Sequence, residues 1–331
     1  MKKLLTKILA LTCILSLGAC GSSSSTASSS TAASDSTAEA TTTDASSIKV
    51  GVVQLLQHDA LDAATQGFVD ALAENGITNV DVQNASGESA NCATIVGGFV
   101  SDGYDLIMAN ATAALQAASA ATDTIPVLGT SITVYDVVLG GEIPSNVSGT
   151  SDLAPLSEQA AMITELVPDA KSVGLLYCSA EANSEYQVEE VAKILEAEGI
   201  TTKKYTFNDS NDVTSVTESA INDGVDAIYI PTDNTAAANT EAIANVVIPA
   251  GVPVIAGEEG ICTGCGIATL TISYYDLGYT TGEMAVDILL NGADISTMDV
   301  QYAPTFTKKY NKANAEALGI EIPSDYVAIE G

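Results

Sequence analysis

Short apolar runs alternate with longer stretches of helical periodicity along most of the chain. The run Ile48–Gln54 is almost wholly apolar and predicts a buried β-strand. The next segment, Asp59–Asn75, predicts an amphipathic helix that stops at Gly76, because its apolar residues recur at helical spacing: Leu61, Ala64, Phe68, Val69 and Leu72. Strands that alternate with helices of this length indicate βαβ units and a largely parallel sheet.

The same pattern occurs twice along the chain. Three motifs of the first half return after roughly 120–130 residues: IKVGVVQ (48–54) as KSVGLLYC (171–178), DGYDLIMAN (102–110) as DGVDAIYIP (223–231), and IPVLG (125–129) as VPVIAG (252–257). The repeat predicts an α/β fold of two similar doubly wound parallel-sheet lobes joined by a hinge. We assign residues 48–150 plus 275–297 to the N-terminal lobe and 151–274 plus 298–331 to the C-terminal lobe.

The first 47 residues are expected to lie outside this fold. Residues 1–19 join a lysine-rich start to a short apolar run, which predicts a secretory signal peptide rather than a membrane-spanning helix. The run ends in Leu-Gly-Ala-Cys, which is similar to a bacterial lipobox, so we expect Cys20 to be lipidated; secretion with an incidental thiol is the alternative. Residues 20–47 are mostly Ser, Thr and Ala and predict a flexible tether. The protein is therefore expected outside the cytoplasm, anchored to the bacterial cell membrane by lipid.

Charge narrows the possible partners. The formal net charge is −31, and all 11 basic residues are lysines. Because such a chain repels polyanions, we exclude nucleic acid as a partner. Without arginine, no guanidinium is available to bind a carboxylate or phosphate in bidentate fashion. An anionic ligand group must therefore be held by backbone N–H groups, hydroxyls, the single histidine His58 or a lysine.

Polar loops follow the predicted strands of both lobes and are expected to line a cleft that closes around a small molecule. Asp233 is expected to take a ligand ammonium while Asn234 caps the next helix; a purely capping cluster is the alternative. Thr112 and Ser184, with nearby helix N-terminal amides, are expected to hold a ligand carboxylate. The other candidate ligand-binding residues are Leu56, His58, Leu61, Asn110, Ser131, Tyr135, Asn183, Thr232, Glu258 and Tyr275.

No motif indicates an enzyme, and we predict no catalytic residue, cofactor or metal. A two-histidine metal site is excluded by the single histidine, and neither a G-x-S-x-G elbow nor a phosphate-binding loop is present. Cys262 and Cys265 form a C-x-x-C in a predicted Gly-rich turn. This pair leaves open a structural disulfide, free thiols, or an extracytoplasmic thiol oxidoreductase.

Several stretches carry a family resemblance: VGVVQLLQHDALDAATQGF (50–68), SAEANS (179–184), PTDNT (231–235) and YYDLGYTTG (274–282). In these the sequence resembles the substrate-binding lipoproteins of bacterial ABC importers, in the branch of tryptophan- and tyrosine-binding proteins. The resemblance implies the periplasmic-binding protein type I fold, no enzymatic activity, and a monomer that delivers its ligand to an ABC permease and its ATPase. It also implies an aromatic amino acid, whose side chain Leu56, Leu61, Tyr135 and Tyr275 would enclose.

Two departures from that family leave the ligand open. Residues 132–139 read ITVYDVVL where relatives have a short V-T-D-P turn, and the C-T-G-C segment also differs from the usual turn. A branched-chain amino acid, a nucleoside or a sugar is the alternative ligand. A lipoprotein sensor that reports to a membrane receptor is the alternative role.

Overall fold

The computed structural model describes residues 44–329. The predicted signal peptide, Cys20 and residues 20–43 of the predicted tether lie outside the described residues. The fold begins earlier than expected, because Ala45–Ser47 forms a 3-10 turn capped by Asp44, and Ala45 packs against the apolar core. Within the described residues, no helix has both the length and the apolar character needed to cross a bilayer.

The strands of residues 44–329 are numbered in chain order. They are β1 (Val50–Gln54), β2 (Val80–Asn84), β3 (Leu106–Asn110), β4 (Val127–Ile132), β5 (Val147–Ser151), β6 (Ser172–Cys178), β7 (Thr201–Phe207), β8 (Ala227–Ile230), β9 (Val254–Ala256), β10 (Ala268–Thr271), β11 (Gln301–Tyr302), β12 (Thr307–Tyr310) and β13 (Val327–Ala328).

The α-helices of the same range are numbered likewise. They are α1 (Asp59–Glu74), α2 (Ser89–Ser101), α3 (Thr112–Ala121), α4 (Tyr135–Val138), α5 (Leu156–Leu166), α6 (Ala182–Ala197), α7 (Val213–Asn222), α8 (Asn234–Ala237), α9 (Thr240–Ala250), α10 (Glu259–Gly264), α11 (Tyr274–Leu289) and α12 (Lys312–Leu318). A second 3-10 segment covers Ile295–Thr297.

The strands form two separate sheets with the same internal order. The first sheet runs β2-β1-β3-β4-β5-β11 and the second runs β7-β6-β8-β9-β10-β12-β13. All pairs are parallel except β10 with β12. The matching orders β2-β1-β3-β4-β5 and β7-β6-β8-β9-β10 are the structural form of the sequence repeat, and they confirm the predicted fold class of two doubly wound lobes.

Apolar strands and amphipathic helices account for the layers of each lobe. All five residues of β1 are buried, as an internal parallel strand requires. Helices α2 and α3 cover one face of the first sheet, while α1 and α11 cover the other. Helices α5 and α6 pack on one face of the second sheet, and α7, α9 and α10 pack on the opposite face.

The chain crosses between the lobes three times, after β5, after β10 and after β11. Helix α11 therefore packs on the first lobe although it follows a strand of the second. The structure differs from the predicted boundary at residue 298, because Gln301–Tyr302 pairs with β5 in the first sheet. The last return to the second lobe comes only after residue 302.

Helices α1 and α11 approach each other through small residues. A methyl group added at Gly278 would overlap the carbonyl oxygen of Ala64, and one at Gly67 would overlap the carbonyl oxygen of Tyr275. A Cβ at Gly282 would lie 2.6 Å from the Cβ of Ala71. The two backbones are thus close enough that only glycine fits at these positions.

We expect Gly278→Ala to lower the free energy of unfolding by about 1–3 kcal/mol, because the added methyl forces α11 away from α1. Gly97→Ala in α2 is the matched control, since nothing lies within 4 Å of its added Cβ. That change should raise stability by about 0.5–1 kcal/mol through better helix propensity. Urea denaturation of both variants tests the pair, and equal stability of Gly278→Ala and the parent would contradict the close packing.

Candidate functional site

A small cavity lies between the lobes. It sits at the carboxyl ends of strands from both sheets, where ligands of open α/β sheets bind. The lining residues are His58, Ala60, Leu61, Ser131, Asp152, Thr232, Asp233, Asn234, Ala237, Glu258 and Tyr274.

Asp233 borders the cavity and also caps a helix. One of its carboxylate oxygens accepts a hydrogen bond from the N–H of Ala236 at 2.7 Å, and the other accepts from the N–H of Cys178 at 2.7 Å. The first bond makes Asp233 the N-cap of α8, so the prediction that Asn234 fills this role is wrong. Each carboxylate oxygen has a second lone pair, so capping leaves capacity for a ligand. Burial and the nearby charge of Glu181 raise the pKa of Asp233.

Asp152 is a cavity residue that the sequence reasoning missed. It follows β5 directly, so the strand-end rule that selected Asp233 applies to it equally well. Its carboxylate accepts hydrogen bonds from the Tyr274 hydroxyl at 3.0 Å and the Thr133 hydroxyl at 3.2 Å. Burial, opposed by these two hydrogen bonds, raises the pKa of Asp152 to about 6.

Glu258 is the third buried carboxylate of the cavity. It caps α10 by accepting hydrogen bonds from the N–H groups of Gly260, at 2.7 Å, and Ile261. Burial raises the pKa of Glu258, and the nearby His58 opposes that shift. The lining thus combines three carboxyl groups with no lysine, and it is suited to a ligand that brings its own positive charge.

Glu181 fixes the orientation of Asn234 at the cavity wall. It accepts hydrogen bonds from the backbone and side chain of Asn234, at 3.0 and 2.7 Å, and from both donors of Thr235. Because the side-chain N–H₂ of Asn234 is used in this way, its oxygen Oδ1 is the atom that lies 3.2 Å from His58 Nε2. His58 must then donate, and the contact joins the first lobe to the second.

Ser131 is a predicted site residue with an unusual backbone. Its φ is 57°, in the left-handed region that non-glycine residues rarely adopt. Its hydroxyl is buried without a protein hydrogen-bond partner and borders the cavity. Backbone strain of this kind is common at ligand-binding sites. The unpaired hydroxyl of Ser131 is available to hydrogen-bond a ligand in the cavity.

Half of the predicted site residues line the cavity, namely His58, Leu61, Ser131, Thr232, Asp233, Asn234 and Glu258. The other polar residues that were predicted for the site do not line the cavity. Asn110 donates to the carbonyl oxygen of Leu61 at 2.8 Å, and Asn183 donates to that of Thr232 at 2.9 Å. Thr112 and Ser184 are buried at the first turns of α3 and α6 but do not border the cavity.

Most of the side chains that were expected to enclose the ligand side chain lie away from the cavity. Tyr135 is buried in the first lobe and donates to the carbonyl oxygens of Gly129 and Thr150, so it supports strands rather than facing the cavity. Tyr275 is 39% exposed and hydrogen-bonds Asp70 on α1. Its neighbour Tyr274 is the tyrosine that borders the cavity. Leu56 packs against the core of the first lobe, so only Leu61 of the four expected side chains lines the cavity.

The C-x-x-C cysteines are not poised for redox chemistry. Cys262 lies within α10 and Cys265 caps its end, so the expected Gly-rich turn is a helix. Both thiols are free and buried. Burial raises their pKa, which disfavours the thiolate that thiol–disulfide exchange requires.

The family of the chain follows from its whole folded region. Residues 49–329 match the family model of ABC transporter substrate binding proteins, so the chain belongs to that family of solute-binding proteins. A tyrosine-binding protein of Clostridioides difficile (strain R20291) is 33% identical over 87% of this chain and 84% of its own length.

Two solved structures of the same type I fold complete the comparison. An ABC domain from Streptococcus pneumoniae, crystallised in complex with L-Trp, is 33% identical with a TM-score of 0.79, covering 84% of this chain and 96% of its own. A substrate-binding protein with adhesive properties from Clostridium difficile, in its ligand-free, open form, is 35% identical with a TM-score of 0.65. This alignment covers 86% of this chain and 99% of the other.

The raised pKa of Asp152 predicts that the unfolding free energy falls as pH rises. An unfolded aspartate ionises near pH 4, whereas folded Asp152 keeps its proton to about pH 6. Between these values the folded state binds more protons, so this group costs about 3 kcal/mol of stability by neutral pH. Asp152→Asn should remove that part of the slope, measured by denaturation of the ligand-free protein between pH 4 and 7. Asp102→Asn, at an exposed position, is the control; a slope equally steep in Asp152→Asn and the parent would refute the assignment.

Proposed function

We propose that this protein captures an aromatic amino acid between its lobes outside the cytoplasm and delivers it to an ABC permease. The observation that carries the proposal is the cavity between the lobes, whose lining has three carboxyl groups, one imidazole and no lysine. A relative that is named a tyrosine-binding protein and a similar structure with L-Trp bound support this ligand class.

The ligand ammonium is the natural partner of the acidic lining. An ammonium has three N–H donors, so it can engage Asp233, as predicted from the sequence, together with Asp152 and Glu258. Such charge-assisted bonds in a buried site are stronger than bonds between neutral groups. Binding would supply the positive charge that the three buried carboxylates otherwise lack.

The ligand carboxylate is suited to the start of α1. The first-turn N–H groups of a helix have no partner within the helix and carry partial positive charge. Ala60 and Leu61 of this turn border the cavity, and so does the free hydroxyl of Ser131. These groups replace Thr112 and Ser184 in our proposal, and they meet the requirement that the chain bind an anion without arginine.

Leu61, Ala60, Ala237 and the ring of Tyr274 provide apolar surface for the ligand side chain. The lobes are closed over this cavity, since His58 of the first lobe contacts Asn234 of the second at 3.2 Å. Closure that buries an aromatic ring contributes apolar stabilisation in addition to the polar contacts.

The place of action rests on the sequence. We propose that the signal peptide directs export, that lipid on Cys20 anchors the protein, and that the segment after it spaces the lobes from the membrane. In this arrangement a monomer hands its ligand to the permease, and the ATPase drives import.

Binding of tryptophan is expected to show as energy transfer from the protein. The chain has 12 tyrosines and no tryptophan, so tryptophan emission excited through tyrosine reports bound ligand alone. Calorimetry with tyrosine and phenylalanine, on protein stripped of ligand by unfolding and refolding, extends the test. If all three amino acids fail to bind while another solute binds, the ligand assignment is refuted.

Asp152→Asn is expected to weaken amino-acid binding by roughly 10- to 100-fold, the range for loss of a charged hydrogen bond. This variant is structurally mild, because both partners of Asp152 are hydroxyls that can also accept from an amide. Asp233 is a poorer choice, since two backbone N–H groups bind it. Asp102→Asn should bind as the parent does, and an equal affinity of Asp152→Asn would remove Asp152 from the site.

Affinity is expected to increase as pH rises from about 5 to 7. Asp152, with its pKa raised to about 6, is protonated at the acidic end and offers a full charge at the neutral end. The ligand ammonium stays charged throughout, so the dissociation constant falls with rising pH and binding near pH 6 releases protons. Calorimetry in two buffers of different ionisation enthalpy measures both effects. A dissociation constant that is constant over this range contradicts the proposal.

A further inference from the structure

A buried hydrogen bond joins the two lobes beside the cavity without lining it. Gln187 of α6, in the second lobe, donates from Nε2 to the hydroxyl of Thr133, in the first lobe, at 3.2 Å. The residues are 1% and 2% exposed, so both are shielded from water in the closed arrangement. Neither of them borders the cavity.

The direction of this bond follows from its neighbours. The N–H of Thr232 can only donate, and it lies 3.2 Å from Gln187 Oε1, so the N–H₂ end of the amide faces Thr133. Thr133 accepts this bond and uses its single hydroxyl proton to donate to Asp152. The contacts thus form a directed chain from Gln187 through Thr133 to Asp152, whose other oxygen accepts from Tyr274.

Asp152 and Tyr274, at one end of this hydrogen-bonded chain, lie where the polypeptide crosses between the lobes. Asp152 follows β5, where the chain first crosses between the lobes, and Tyr274 begins α11 after the second crossing. Opening of the cleft must separate Gln187 from Thr133, because they belong to different lobes. Gln187 Nε2 has two protons and three acceptors in reach, so Thr133 shares a proton with an acceptor of the second lobe, and opening leaves both protons to Thr232, at 2.6 Å, and Asn183, at 3.2 Å.

We propose that the Thr133–Gln187 hydrogen bond is a latch of the closed lobes, and that it sets how long a ligand stays in the cavity without contacting that ligand. The two are therefore positioning residues. The effect on ligand release rests on the proposed function, whereas the effect on lobe closure does not. The ligand-free lobes sample the closed arrangement, which the latch stabilises, and a bound ligand can leave only when the lobes open, so the latch acts mainly on the dissociation rate.

The test is a double-mutant cycle on ligand dissociation. Thr133→Val and Gln187→Leu should each raise the dissociation rate of tryptophan about three- to tenfold, which is the worth of one net hydrogen bond. Each variant also loses a contact outside the latch, Thr133 with Asp152 and Gln187 with Thr232, so the effect of the double variant should be smaller than the product of the two single effects. Thr133→Ser keeps the hydroxyl and should restore the parent rate. Additive effects, or a slower association with unchanged dissociation, overturn the latch.

A second measurement needs no ligand. Spin labels at Val137→Cys on α4 and Glu185→Cys on α6 occupy exposed positions in opposite lobes. In the ligand-free protein, Gln187→Leu should shift the distribution of label distances to longer values than in the parent. Identical distributions overturn the latch. A shift in a protein that binds no aromatic amino acid would support the latch while refuting the proposed ligand.

Discussion

Three buried carboxylates share one small cavity, and each is held by the start of a helix or by hydroxyls instead of by a basic side chain. Asp233 caps α8, Glu258 caps α10, and Asp152 accepts from Tyr274 and Thr133. Loss of hydration on burial raises the pKa of each group, so ionised carboxyl groups in the closed and empty cavity cost free energy. In the proposed function a ligand ammonium offsets this cost, so binding and closure depend on the same interaction.

Because the chain has no arginine, the carboxyl groups of the cavity remain available to a positively charged ligand group. A buried guanidinium would neutralise the carboxylates permanently and leave a ligand ammonium without a partner. Helix N-termini supply only partial charge, so they stabilise the capping carboxylates without cancelling their charge. In the proposed function, selectivity for a zwitterion arises from the contrast between the carboxyl groups of the lining and the backbone N–H groups at the first turn of α1, where Ala60 and Leu61 border the cavity.

The fold was predictable because its signals are local and repeated. Each strand–helix unit has its own periodicity, and the second half repeats the first, so the shared strand order followed directly. The strand-end rule also selected residues that line the cavity, namely His58, Ser131, Thr232, Asp233, Asn234 and Glu258. The rule applies to Asp152 as well, because this residue follows β5 directly. The predicted lobe boundary at residue 150, however, assigned Asp152 to the second lobe and so separated it from the strand that it follows. Tyr274 and Tyr275 were exchanged because adjacent helical residues point about 100° apart, and the sequence does not set the rotation of α11.

What the sequence could not supply is the contact between lobes. Thr133 and Gln187 are far apart along the chain, and no sequence pattern pairs them. Their hydrogen bond exists only because three crossings bring the carboxyl ends of both sheets together. The same geometry explains why Asn234 faces His58: Glu181 orients the amide from within the second lobe before the first lobe meets it. Side chains that meet across the lobes are thus also held by hydrogen bonds within their own lobe.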